Sequence, residues 1–371
     1  MKLTLSLTLL LTMIPIFIAI VCMPFWTRKT VSFGVTIPRN AYDHPEIKKM
    51  RKSYVLISSI FALFVTVAFL VASFIGDELT AGILYPMLII LYIVGNAFIY
   101  LPFFQKMREL KEAQPEWHTK SNIITVDTSF RKNKLTYSNK WFILAFTISF
   151  ITIVVTLIGY DYLPNDIPTR YDFNGDILET VPKTYRSALL LPILQIYMTL
   201  LFLFINTVIK NAKQQVEHTE PETSLQRNIT FRKRWSLFTI INGTGLIVLL
   251  TLLQLALMIP INQQLVAMML IIFITIVIIW ALFLSFTTGQ GGSRLKNTTS
   301  GNLSHKDGHV IHRDDDKHWK WGIFYVNRND PSIFIEKRFG IGWTNNWGHP
   351  ASWIIFLIII LVPIILILVI K

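Results

Sequence analysis

The sequence predicts an all-α integral membrane protein with eight transmembrane helices. Two observations carry this: 52% of its 371 residues are hydrophobic and only 15% charged, and the apolar residues fall into eight long runs free of Asp, Glu, Lys, Arg and His. About 20 apolar residues cross the hydrocarbon core. The mean hydropathy of +0.49 excludes an ordinary soluble enzyme. A third observation sets the orientation: the loops after the first, third, fifth and seventh runs hold 30 of the 35 Lys and Arg. Under the positive-inside rule those loops are cytoplasmic and both termini lie outside. The net charge of +13 then needs only an anionic inner leaflet, not nucleic acid.

In chain order the runs are 3–26, 54–75, 81–104, 141–160, 187–209, 235–258, 265–286 and 352–370. Trp26, Tyr54, Tyr100, Trp141, Tyr160 and Trp235 mark their edges, where amphipathic rings prefer the headgroup layer. The first run is read as an uncleaved span, too long for a signal-peptide core and followed by Arg28 and Lys29 on its far side. The single cysteine, Cys22, excludes an internal disulfide and a Cys-based zinc cage. Pro15, Pro86, Pro192 and Pro363 are expected to kink their helices. Loop lengths also hint at a four-plus-four repeat.

No ionisable residue lies within a run, which disfavours ion-coupled pumps and proton relays. Asn96, Gln195, Asn206, Asn242 and Gln254 could line a transport path, or could join helices by hydrogen bonds; the patch Asn242-Gly-Thr-Gly245 fits the second reading. An intramembrane enzyme lacks a His, acid or Cys constellation, so no enzymatic activity, cofactor or metal is expected.

The first inner loop holds Ser32-Phe-Gly-Val-Thr-Ile-Pro38, whose alternating Phe33, Val35 and Ile37 predict a short strand, and then a basic helix over 44–54. The loop 161–186 is acidic, with Pro164 and Pro168 at its entry and the turn dipeptide Asn174-Gly175; it predicts an ordered hairpin. Calcium binding by Asp172-x-Asn174-x-Asp176 is not supported, since Ile177 replaces the required glycine.

In the seventh loop, 287–307 reads as a flexible Gly/Ser/Thr/Asn linker. His305, His309, His312 and His318 near Asp314–Asp316 fit no standard metal spacing. From Asp314 the chain becomes rich in Trp and Gly, and two aromatic runs flanking 327–331 predict a small cytoplasmic β-hairpin before the last helix. Such a segment suits either a membrane-interface anchor or a partner-docking surface.

Ile167-Pro168-Thr-Arg170-Tyr-Asp172-Phe-Asn174-Gly175, with Lys183 downstream, resembles the extracellular Ile-Pro-x-His-(Phe/Trp)-Asn-x-x-Gly…Lys motif of bacterial multi-pass proteins related to the SdpI immunity proteins. Pro168, Gly175 and Lys183 match, while Arg170 and Asp172 stand where that family often has His and Asn. Phe33 to Pro38 resembles a segment after the first span of the same proteins. The stretch containing Trp319, Tyr325, Asp330-Pro331, Glu336, Arg338, Gly340 and Trp343 resembles their small C-terminal domain of unknown function. The resemblance implies protection from, or sensing of, a secreted peptide, relayed to a cytoplasmic regulator from the bacterial cytoplasmic membrane.

The sequence thus divides into an N-terminal membrane region (1–140), an SdpI-related region (141–210), two helices with an inner linker (211–313) and a Trp-rich C-terminal domain with the last helix (314–371). Outer-loop candidates are Pro168, Arg170, Asp172, Asn174, Gly175 and Lys183; docking candidates are Trp319, Tyr325, Glu336, Arg338, Gly340 and Trp343. The expected partners are the lipid bilayer, an extracellular peptide or envelope component, and a cytoplasmic regulator. The alternative is a transporter or lipid-handling protein.

Overall fold

Long apolar runs leave a chain in lipid no way to satisfy its backbone except as helix, and the computed structural model is accordingly mostly helical. It describes residues 2–75, 78–117, 123–126, 134–171, 177–214, 221–259, 261, 263–295, 309–312 and 316–370. The helices are α1 (Lys2–Trp26), α2 (Pro45–Ile75), α3 (Glu78–Glu112), α4 (Phe142–Ile158), the short α5 (Tyr185–Ala188), α6 (Leu190–Asn211), α7 (Pro221–Ala256), α8 (Gln263–Thr288) and α9 (Pro350–Ile370). Seven of these are long and apolar enough to cross a membrane. The eighth apolar run is also helical, but its apolar stretch Pro350–Leu366 is shorter. The chain is a polytopic membrane protein.

Helices outrun the apolar runs where polar turns extend them. Pro45 opens α2, where its missing N–H costs nothing, and Lys48, Lys49 and Lys52 are exposed on the first turns. Arg51 differs from the solvated basic helix expected: it is buried, its guanidinium 3.6 Å from the Tyr42 ring centroid. Pro15, Pro86 and Pro363 lie inside α1, α3 and α9. Pro192 instead sits in the first turn of α6, where no helical bond is lost.

The chain forms two compact units, 1–133 with 212–231 and 281–349, and 134–211 with 232–280 and 350–371. This division is interleaved along the chain rather than consecutive. Side chains from distant segments fill common cores, and that overrides chain order.

In the first unit α1, α2 and α3 pack around Met13, Phe17, Val65, Phe69 and Tyr92. A second core gathers Phe33, Val35, Ile37, Ile47, Tyr54, Tyr100, Met107 and Phe339. The described strands of this unit are short: β1 (Val31–Ser32) with β2 (Val35–Thr36), β3 (Ile123–Val126) with β6 (His309–His312), β7 (Trp319–Lys320) with β8 (Phe324–Tyr325), and β9 (Phe334–Glu336) with β10 (Trp343–Asn345), all antiparallel. Phe33 is thus in a turn, not a strand.

The single hairpin expected around 327–331 is two hairpins, turning at Trp321-Gly322 and at Gly340–Gly342, where φ is positive. Residues 327–331 form a connection held by side chains: Asn327 and Asp330 accept from the N–H groups of Asn329 and Ser332, each at 3.0 Å. These local bonds compete with strand pairing and win.

In the second unit Ala145, Ile247 and Leu250 are buried where α4 and α7 pack. The remaining strands, β4 (Asp166–Tyr171) and β5 (Ile177–Pro182), form the hairpin expected between α4 and α5.

Candidate functional site

The first unit gathers its loops around Tyr100, near the end of an apolar run on α3. Phe33 and Gly34 both have positive φ (44° and 77°), as a two-residue hairpin turn demands. Trp321 and Gly322 repeat the feature (53° and 69°). The Tyr100 hydroxyl reaches the carbonyl oxygens of Phe33 at 3.0 Å and Trp321 at 3.1 Å. The two glycines touch: a Cβ on Gly34 would lie 2.6 Å from the Gly322 Cα.

Charged groups lock the same loops. Glu336 is fully buried, paired with Arg28 after α1 and accepting from the Asn228 amide of α7 at 2.8 Å. Asp316 accepts from the Thr36 hydroxyl at 2.8 Å and pairs with Lys111 at 2.5 Å and with Arg338. Asp330 pairs with Lys213 at 2.5 Å and accepts from the Tyr325 hydroxyl at 2.9 Å. The Gln290 amide donates to the carbonyls of Lys337 and Gly342 and accepts from the Gly342 N–H at 2.7 Å. That glutamine corrects the expected linker, because Gln290 and Gly292 are buried and the Gly289–Gly292 turn grips the last hairpin; residues 296–308 lie outside the described residues.

Burial pushes the carboxyls of Asp316 and Asp330 up, but Arg338 and Lys111 at the first, and the hydrogen bonds of Lys213, Ser332 and Tyr325 at the second, more than offset it and leave both at about 2. A depressed folded-state value stabilises above the unfolded value of 3.8 and is lost as pH falls through about 2. Thermal unfolding in detergent should therefore show constant stability down to about pH 4 and a steep loss from there toward pH 2. Asp316→Asn should flatten that loss.

The docking candidates are mostly interior. Trp319, Tyr325, Glu336, Arg338 and Gly340 are buried, and Trp343 is half-buried with its ring 5.2 Å from that of Phe231. The Arg338 guanidinium lies 5.0 Å over the Trp319 ring. These six residues thus lie within the packed loops of the first unit, Trp343 at their edge. Asn346, which the sequence reading missed, donates to the carbonyls of Asn327, Asp330 and Ser332 and accepts from the N–H groups of Asn327 and Gly348.

In the second unit the hairpin β4–β5 is anchored at its base. Ile167 and Leu163 are buried with Ala188, against Val181 and Met258, and Pro168 pairs with Thr180. The Lys183 ammonium donates to the Leu163 carbonyl at 3.0 Å and lies 5.4 Å from the Tyr160 ring centroid, so this motif lysine closes the hairpin. A capping box of Thr184 and Ser187 then starts α5. Arg170 forms an exposed pair with Glu179 at 3.3 Å, a weak link in water. Asp172, Asn174 and Gly175 lie outside the described residues. Beyond the base the strand β5 displays Ile177 and Leu178, 55% and 54% exposed; their signal in the sequence was two adjacent apolar residues one position after the turn dipeptide, separated from it by Asp176.

The five polar residues of the spans are buried and donate hydrogen bonds within the protein, Asn96 and Asn242 to their own helices. Asn206 donates to Asn139 at 2.7 Å and accepts from Ser236 at 2.6 Å. Gln195 donates to Thr251, Gln254 to the Ala188 carbonyl, and Asn96 and Asn242 to carbonyls four residues back. Gly243 and Gly245 admit the rings of Phe202 and Phe273.

Two family models match parts of the chain. Residues 147–196, from within α4 through the hairpin into α6, match a domain of unknown function (DUF1648), and residues 328–353 match a family of unknown function (DUF5808). No curated protein and no solved structure matches the chain.

Proposed function

We propose that this protein is a non-enzymatic receptor or immunity protein of the bacterial cytoplasmic membrane, with eight spans and both termini outside, and that the β4–β5 hairpin meets an extracellular peptide or envelope component. The observation that carries the reading is the display of Ile177 and Leu178 on a hairpin whose base is fastened while both are left in solvent. The residue-level resemblance of this loop to the motif of SdpI-related proteins supports it. A signal then passes to a cytoplasmic regulator through the basic loops. The rival transport reading has less support, because Asn96, Asn206, Asn242 and Gln254 are engaged in hydrogen bonds.

The test compares survival of cells with and without the protein against a panel of membrane-active antimicrobial peptides. Wild type should protect against at least one, and Ile177→Ser with Leu178→Ser should abolish protection at unchanged membrane abundance. Equal survival with and without the protein across the panel overturns the reading. Orientation is tested separately: with Cys22 replaced by Ala, cysteine at Gly175 should react with a membrane-impermeant thiol reagent on intact cells and cysteine at Asn302 should not. The reverse pattern would invert the topology.

A further inference from the structure

Most aromatic side chains of segment 316–349 are drawn into the first unit, but two are not. Trp321 is 60% exposed and Phe324 40%, their ring centroids 6.1 Å apart at the tip of the β7–β8 hairpin. The tip's position along the membrane normal follows from its contacts. The Trp321 carbonyl accepts from Tyr100, and a Cβ on Gly322 would lie 2.9 Å from the Phe104 ring. Both contacts are with the last apolar turn of α3, immediately before Gln105, Lys106 and Arg108. The tip therefore sits at the level where hydrocarbon gives way to headgroups, the layer that tryptophan prefers.

Charge points the same way. Between 316 and 330 the acids Asp316 and Asp330 are turned inward onto Arg338, Lys111 and Lys213, while Lys317, Lys320 and Arg328 are exposed. The displayed charges of this stretch are thus all positive. The adjoining turn of α3 is balanced, Lys106 and Arg108 against Glu109 and Glu112.

We propose that Trp321 and Phe324, with Lys317 and Lys320, form a binding site for anionic phospholipid. The two rings enter the headgroup layer beside α3 and the two ammonium groups take lipid phosphates. The geometry makes this a site rather than a diffuse anchor, because the turn that presents the rings is fixed by the Gly34–Gly322 contact and by Tyr100.

The experiment reconstitutes the full chain, with Cys22 replaced by Ala, into nanodiscs of phosphatidylcholine alone or with about 30% phosphatidylglycerol. Fluorophores are placed by Trp321→Cys, Phe324→Cys and, as a control, Arg328→Cys. Headgroup-level spin-labelled lipid should quench positions 321 and 324 about twofold or more beyond 328. The anionic lipid should raise that quenching, and Lys317→Gln with Lys320→Gln should remove the rise. Quenching at 321 and 324 no greater than at 328, or equal in both lipid mixtures, overturns the proposal. The unlabelled protein gives an independent reading that no cysteine substitution can spoil: phosphatidylglycerol should raise the melting temperature of wild type more than that of the Lys317→Gln, Lys320→Gln variant, and an equal rise in both also overturns it.

Discussion

Gly34→Ala is expected to be among the most damaging single substitutions in the chain, costing about 3 kcal/mol or more and depleting the protein from membranes. Two penalties combine at this position. Its φ of +77° disfavours any side chain, and the added methyl would meet the Gly322 Cα at 2.6 Å and the Tyr100 hydroxyl at 2.6 Å. Neither neighbour can retreat, since one is backbone and the other is fixed between two carbonyls. Gly322→Ala should behave alike, its Cβ lying 2.8 Å from the Gly34 Cα.

Comparison sites separate the penalties. Gly342 has φ of +102° but open space around its Cβ position, so its alanine variant should lose only about 1–2 kcal/mol. Gly82, on α3 with nothing within 4 Å, should tolerate alanine. Tyr100→Phe removes the shared hydrogen bond while keeping the ring, and about 1 kcal/mol is expected. Thermal unfolding of purified protein in detergent checks the series. A Gly34→Ala variant as stable as Gly82→Ala would mean that the two turns do not touch in the membrane.

The contrast between the helices and these turns shows what the sequence could disclose. A transmembrane span is local: a run such as 54–75 carries its own evidence in about 20 consecutive residues. The β4–β5 hairpin was legible for the same reason, its turn dipeptide Asn174-Gly175 lying between two short strands. The Gly34–Gly322 contact joins positions nearly 300 residues apart, and nothing local distinguishes either glycine from one that only shapes its own turn. Gly289–Gly292 shows the converse error. Its composition is that of a linker, yet Gln290 satisfies the backbone of a distant hairpin.

The docking candidates illustrate a subtler limit. Their aromatic and charged character marked segment 319–343 as unusual, but composition cannot say whether such side chains face a partner or one another. Their placement depends on contacts with Arg28, Lys111, Asn228 and Gln290 from four other segments, which no local pattern shows. The hairpin candidates divide in the same way. Lys183 is spent on the Leu163 carbonyl, whereas Ile177 and Leu178, unremarked in the motif, are displayed.

The buried Arg28–Glu336 pair gives the second large effect. Glu336 is wholly enclosed and Arg28 nearly so, and removing one member of such a pair takes away a main compensation of the other's charge in a poorly polarisable interior, at a cost of up to about 3–5 kcal/mol. Arg28→Met and Glu336→Leu should each approach that loss. The double variant should be less damaged than the sum, because the two charges that compensate each other are removed together. Glu336→Gln is a milder probe, since the amide oxygen can still accept from Asn228 while the ionic attraction to Arg28 is gone. Its position between wild type and Glu336→Leu separates the hydrogen bond from the charge. Strict additivity of Arg28→Met and Glu336→Leu in detergent unfolding would show that the two side chains do not meet, and the clasp between the end of α1 and the last hairpin would have to be abandoned.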